Sequence, residues 1–172
     1  YYKRIYKKYS IQIIPNFDKS TYQAGQTKNY YKKPEEVKKA EIIRGFKNQC
    51  EPIYIATKGI IKRAINENTP IIIEGVHLIP GKVHDNELYQ ICLNNLFEYA
   101  ISIEDEEIHK KRFIKRQNDS PERTIKKYLD NFKEIRQIHD YIIERAKRYK
   151  KIKVVDNSQN IKDTLNEIIS FF

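Results

Sequence analysis

The chain has no methionine and no tryptophan, and only two cysteines and five glycines among 172 residues. Each shortage removes a class of protein. Cys50 and Cys92 stand far apart without a C-x-x-C spacing, so neither a zinc site nor a disulfide framework is indicated, and a reducing cytoplasm is the simplest home. No run approaches the roughly 18 apolar residues of a membrane span, and no charged n-region with an apolar h-region opens the sequence. Repeats, low-complexity tracts and a second-domain linker are also missing, so residues 1–172 are expected to form a single domain. The start at Tyr1 and the lack of methionine carry the expectation that part of the natural chain precedes it.

What is present is enough for a core: 40% of residues are hydrophobic and 12% aromatic. The 33 Lys and Arg against 23 Asp and Glu give a net charge of +10, which predicts attraction to an anionic partner: nucleic acid, a membrane surface or a small phosphorylated molecule. Charge alone does not choose among these.

Hydrophobic periodicity then orders the chain. In "YYKRIYKKY" (1–9), Tyr2, Ile5, Tyr6 and Tyr9 share one helix face. A turn-rich tract up to Pro34 reads as a functional loop. Two helices are expected next. The first opens with Pro34, Glu35 and Glu36 and turns Val37, Ala40, Ile43 and Phe46 inward; the second opens at Pro52 and buries Ile53, Ala56, Ile60 and Ala64. "PIIIEG" (70–75), "YAISI" (99–103) and "KIKVV" (151–155) are short unalternating apolar runs, the pattern of strands covered on both faces. Between them lie a helix over "DEEIHKKRFIKR", a long helix over 125–149, and, after Ser158 as N-cap, a last helix carrying Ile161, Leu165, Ile168 and Phe172 on one face. Alternation of strands and helices implies an α/β fold, a parallel sheet with helices on both faces.

Ligands of such sheets sit beyond the carboxyl ends of the strands. Glu74 is expected at one of those ends, where a carboxylate holds Mg²⁺ or positions an attacking hydroxyl, and His77 reaches the same crevice. Arg112 and Arg116, spaced i and i+4, and Arg123 are candidate phosphate contacts around the polar tract "QNDSPERT", which has the make-up of a hinged flap. His109 and His139 are expected on helix surfaces. For each residue a plainer role competes: Glu74 as a turn cap, the arginines as solvated ends of helices.

"PIIIEGVHLIPG", "ISIEDEEIHKKRFIKR" and "KKYLDNFKEIRQIHDYIIERA", with "KSTYQAG" and "EIIRGFKNQCEPIYIATKGIIKRAI", resemble the archaeal 2-phosphoglycerate kinase family across nearly the whole chain. The resemblance implies a P-loop kinase-like parallel sheet with a helical lid at about 105–130, ATP and Mg²⁺ as cofactors, and conversion of 2-phosphoglycerate to 2,3-bisphosphoglycerate. It implies catalytic roles for Glu74, Arg112 and Arg116, with Glu74 also the metal ligand; acceptor contacts from Thr21, Tyr22, Arg44 and His77; and nucleotide contacts from Arg123, Asn157 and Ser158. The family opens with a G-x-x-x-x-G-K-[ST] loop, which none of Gly25, Gly45, Gly59, Gly75 and Gly81 forms, so catalysis is expected only with such a loop upstream of Tyr1. Behind this reading stand a uridine kinase-like nucleoside kinase, a basic nucleic-acid-binding domain with tyrosines interleaved among lysines, and a non-catalytic relative of the kinase.

Overall fold

The computed structural model describes residues 20–27, 29–82, 96–119 and 125–170. They belong to two compact units, Tyr1–Ile79 and Pro80–Phe172. The tyrosine-rich helix expected at 1–9 lies outside the described residues.

The first unit is built on one long helix, α1 (Glu35–Asn66), preceded by short 3-10 turns at Thr21–Gln23 and Tyr30–Lys32. Pro34 is its N-cap residue, and Glu35 and Glu36 place negative charge in the first turn, as the sequence predicts. The expected break at Pro52 does not occur: the proline sits inside a single 32-residue helix. Its missing N–H and ring clash cost about 3 kcal/mol. The packing of the turn before it, where Phe46 and Cys50 are buried, offsets that cost.

The buried stripe also differs from the expected one. Ile42, Gly45, Phe46, Gln49 and Cys50 face inward, whereas Val37 and Ile60 are each 43% exposed. The reason is backbone contact between two glycines. A Cβ on Gly45 would stand 2.2 Å from the Gly25 nitrogen, and one on Gly25 would stand 1.9 Å from the Glu41 carbonyl oxygen. The loop after the first 3-10 turn therefore lies directly on the helix, and the face bearing Gly45 is the one it covers.

"PIIIEG" is not a buried strand. Residues 70–75 have no ladder partner among the described residues, Ile72 is 98% exposed, and Glu74 is exposed. Strand composition alone does not make a strand, because the backbone groups need a neighbour to bond.

The second unit holds β1 (Glu98–Ser102), α2 (Glu106–Asp119), α3 (Ile125–Asp130), α4 (Phe132–Ala146), β2 (Ile152–Asp156) and α5 (Ile161–Ile169). The strands pair in parallel, with Ala100 opposite Val154 and Ser102 opposite Asp156. Thus the α/β class and the parallel pairing of "YAISI" with "KIKVV" stand, in a two-stranded sheet among the described residues. Ala100, Ile143, Ala146 and Ile152 form the core between sheet and α4, with Tyr149 and Val154 at its edge. On the opposite face Val155 is fully buried and its register partner Ile101 is 47% exposed.

The helix expected over 125–149 is interrupted at Asn131, which leaves helical geometry (φ −115°, ψ 23°) and returns its side-chain N–H to the Lys127 carbonyl at 2.9 Å. Apolar spacing continues across this break, so periodicity could not reveal it. The N-cap of α5 is Asn160 rather than Ser158; its side chain accepts from the N–H groups of Lys162 and Asp163. Ile161 and Leu165 on that helix are 69% and 49% exposed, so the expected apolar face is not the buried one.

The glycine contact makes an opposed pair of outcomes. Alanine favours a helix over glycine by about 0.8–1.0 kcal/mol, and nothing lies within 4 Å of a Cβ at Gly59, so Gly59→Ala is expected to stabilise by up to that amount. Gly45→Ala on the same helix is expected to destabilise by about 1–3 kcal/mol through overpacking against backbone. Urea unfolding of both variants checks the sign at each position.

Candidate active site

Two clusters bring sequence-predicted residues together. In the first unit, Thr21 and His77, 56 positions apart, meet at 3.1 Å between Thr21 Oγ1 and His77 Nε2. Phe46 stacks on the imidazole, with ring centroids 6.2 Å apart. Burial holds His77 below the ordinary histidine pKa, so it is a neutral hydrogen-bonding group at pH 7. Tyr22 is buried on the 3-10 turn, while the side chain of Arg44 is 67% exposed and lies 3.7 Å from Glu41. Glu74 is exposed just before a turn in which the Leu78 N–H donates to the Gly75 carbonyl.

Glu41 was not singled out from the sequence, yet it organises this unit. Lys33 Nζ donates to it at 2.6 Å and Thr27 Oγ1 at 3.0 Å. The hydrogen bond from Lys33 is the main reason its carboxyl sits below the ordinary value; burial opposes this, and Thr27 and the charges of Lys33 and Arg44 add to it. A Lys–Glu pair eight residues apart across a loop has no local signal.

In the second unit the site is the carboxyl edge of the two parallel strands. Asp156, the last residue of β2, accepts from Ser158 Oγ at 2.7 Å, from the Ser158 N–H at 3.1 Å and from the Glu104 N–H at 3.3 Å. Burial works to raise its pKa, but the bonds from Ser158 and Glu104 and the charge of Arg112 prevail, and the carboxyl titrates below the ordinary aspartate range. Asn157 donates its N–H to the Ser102 carbonyl at 2.8 Å and accepts from Thr164 Oγ1 at 3.0 Å. Arg112 reaches across from α2 and donates to the Gln159 carbonyl at 3.1 Å. The fold therefore gathers three predicted residues, Arg112, Asn157 and Ser158, at one edge. Arg116 is exposed one turn further along α2, and Arg123 lies outside the described residues.

His109 and His139 are not surface residues as expected. His109 stacks on Phe113 at 4.9 Å and meets Phe132 edge-on at 5.4 Å, with the His139 ring 6.1 Å away. Phe113 in turn stacks on Tyr128. A histidine inside an aromatic seam between α2, α3 and α4 loses hydration. Burial, with the nearby charges of Arg136, His139 and Arg112, pushes its pKa down to about 4. Phe113 and Phe132 mark the seam in the sequence only after α2 and α4 are known to pack together.

Among the described residues no group of three or more His, Cys, Asp or Glu side chains is placed to hold a metal ion, and no helix is long and apolar enough to cross a membrane.

The chain is 34% identical over 161 residues to the 2-phosphoglycerate kinase of Methanopyrus kandleri, covering 93% of this chain and 46% of the relative. To the enzymes of the same name from Methanocaldococcus jannaschii and Methanothermobacter thermautotrophicus it is 33% and 30% identical, over 94% and 93% of its own length. Over most of its own length the chain is similar to archaeal proteins named 2-phosphoglycerate kinase. It spans about half the length of these relatives, 46–50% of each. The relatives do not favour the nucleoside kinase or nucleic-acid-binding readings of the sequence. No protein-family model and no solved structure matches it.

The buried imidazole gives a pH signature. The unfolded chain takes up the His109 proton below about pH 6.5, and the folded chain only near pH 4. Between these values the unfolded state holds more protons, so stability is complete above the window and falls as pH is lowered through it. His109→Phe keeps the aromatic packing and removes the proton, and the drop in melting temperature from pH 6.5 to about 5 is expected to be smaller than in the unsubstituted protein. An equal drop in both would place His109 outside the titration.

Proposed function

We propose that the protein carrying this chain is a kinase of the P-loop type that transfers the γ-phosphoryl group of ATP to the free hydroxyl of 2-phosphoglycerate, giving 2,3-bisphosphoglycerate and ADP. The observation that carries this reading is the 30–34% identity, over most of this chain, to proteins named 2-phosphoglycerate kinase. In the transfer, the oxygen–phosphorus bond to the acceptor forms as the bond between the β–γ bridging oxygen and the γ-phosphorus breaks, and the proton of the acceptor hydroxyl is released to solvent.

The residues fit distinct tasks. The edge formed by Asn157, Ser158 and Arg112 suits the nucleotide, with the Arg112 guanidinium facing anionic oxygens and α2 and α3 forming a lid at about 105–130. Arg116, exposed on α2, adds a cation to the same element, and Arg123 is proposed from the sequence as a further nucleotide contact. Thr21, Tyr22, Arg44 and His77 suit the acceptor: a hydroxyl, a neutral imidazole and an exposed guanidinium match its phosphate and carboxylate.

Glu74 is the residue proposed to meet magnesium. A single exposed carboxylate fits that ion, which takes one or two protein carboxylates and completes its shell with water and phosphate oxygens. Held there, magnesium would supply positive charge to the transferring phosphoryl group. The exposed Glu74 is free to approach such a shell, which a carboxylate already bonded within the protein would not be.

The direct test is the full-length protein with ATP, Mg²⁺ and 2-phosphoglycerate, monitored by phosphorus NMR. One bisphosphoglycerate per ADP is expected, and none of the corresponding product when uridine replaces the acceptor; turnover of uridine alone would reverse the reading. Glu74→Gln is expected to lower kcat about a hundredfold at unchanged melting temperature. Arg112→Ala is expected to raise the KM for ATP about tenfold, the scale of one charge-assisted hydrogen bond. Unaltered kinetics in either variant would remove that residue from the mechanism.

A further inference from the structure

Ile103 and Glu104 lie between the last ladder residue of β1 and the N-cap of α2, and every backbone polar group they carry is bonded by a side chain or shared with one. The Ile103 N–H donates to His139 Nε2 at 3.2 Å, and the Ile103 carbonyl accepts from Arg136 Nη1 at 2.6 Å. The Glu104 carbonyl accepts from Arg136 Nη2 at 3.3 Å, and the Glu104 N–H donates to Asp156 Oδ1 and Ser158 Oγ at 3.3 and 3.1 Å. Asp105 then caps α2 by accepting from the N–H groups of Glu107 and Ile108.

The two α4 residues are themselves held. The side chains of Arg136 and His139 are 13% and 15% exposed. Arg136 Nε lies 3.6 Å from Glu106 Oε1 in the first turn of α2, and Nη2 lies 3.7 Å from Asp140. Since His139 Nε2 accepts from Ile103, its ring proton belongs on Nδ1, which donates to Asp140 Oδ1 at 2.9 Å. The cleft beside them measures about 240 Å³ and is lined by Ser102, Glu104, Arg136, His139 and Asp140.

We infer that Arg136 and His139 are positioning residues: together they clamp the corner after β1, fix where α2 begins, and so set Arg112, two turns along, against the 157–159 loop. The guanidinium is suited to this because its planar fork spans two consecutive carbonyls, which an ammonium does not. Four anchor points then bind the corner and α2: Arg136, His139, the Asp156–Ser158 pair and Arg112 on Gln159. The inference rests on reading that loop as the nucleotide side.

Amide hydrogen exchange and ATP kinetics of the full-length protein separate the two ideas. In Arg136→Lys, exchange is expected to quicken about tenfold in peptides covering 103–112 and 157–160, with α1 unchanged. The KM for ATP rises about tenfold, and Arg112→Ala combined with Arg136→Lys is no worse than Arg112→Ala alone. His139→Gln, whose amide oxygen can take the Ile103 N–H, is expected to keep slow exchange, and His139→Leu to lose it; this pair decides the matter if the Arg136 variant fails to fold. Unchanged exchange at 157–160 in Arg136→Lys would overturn the clamp. Faster exchange with an unchanged KM, or additive effects with Arg112→Ala, would make it structural only and overturn the positioning role. If the unsubstituted protein neither binds nor uses ATP, the nucleotide reading fails, and the exchange data still decide for or against the clamp.

Discussion

Two peptide units that leave a sheet at a strand end must find hydrogen-bond partners without a ladder, and in this chain Ile103 and Glu104 find them in side chains from two other elements. A backbone polar group removed from water and left unbonded is costly, which applies to the part-buried N–H and carbonyl of Ile103; the exposed bonds of Glu104 add to the same corner. Arg136 and His139 approach from α4, Asp156 and Ser158 from the end of β2. The corner is thus the point at which sheet, α2, α4 and the final loop are tied together. Loosening any one partner exposes the needs of the others.

Both units use the same physics around one carboxylate. Asp156 in the second unit and Glu41 in the first each accept several hydrogen bonds, and each is held ionised below its ordinary pKa despite some burial. Some donors are distant in sequence, Lys33 and Thr27 on Glu41 and the Glu104 N–H on Asp156, so each carboxylate joins segments that local propensity would leave independent. Glycine contact plays the matching steric part in the first unit, where Gly25 and Gly45 let backbone rest on backbone.

The arrangement suits phosphate chemistry. At the strand ends of the second unit Arg112 lies beside the 157–159 loop and α2 starts from a bonded corner; in the first unit a neutral histidine is bonded to a threonine. The proposed phosphoryl transfer asks for positioned donors and little covalent chemistry. Relatives named 2-phosphoglycerate kinase extend to about twice this length.

Local pattern and composition are enough to specify the α/β class, β1 and β2 to within a residue, and α2 with its acidic start. Tertiary contacts decide the rest. Pro52 remains inside α1 because packing outweighs its intrinsic cost, and the buried face of α1 follows Gly45 because only a distant loop reveals which small residue is touched. "PIIIEG" has the composition of a strand and no strand beside it among the described residues, while Asn131 breaks a helix whose apolar spacing runs on unaltered. Glu41, Arg136 and His139 carry no motif at all; their roles arise from partners 8 to 36 residues away. Periodicity reports which residues prefer to be buried, whereas which surface or which unbonded peptide group they meet is fixed only when the chain has folded around them.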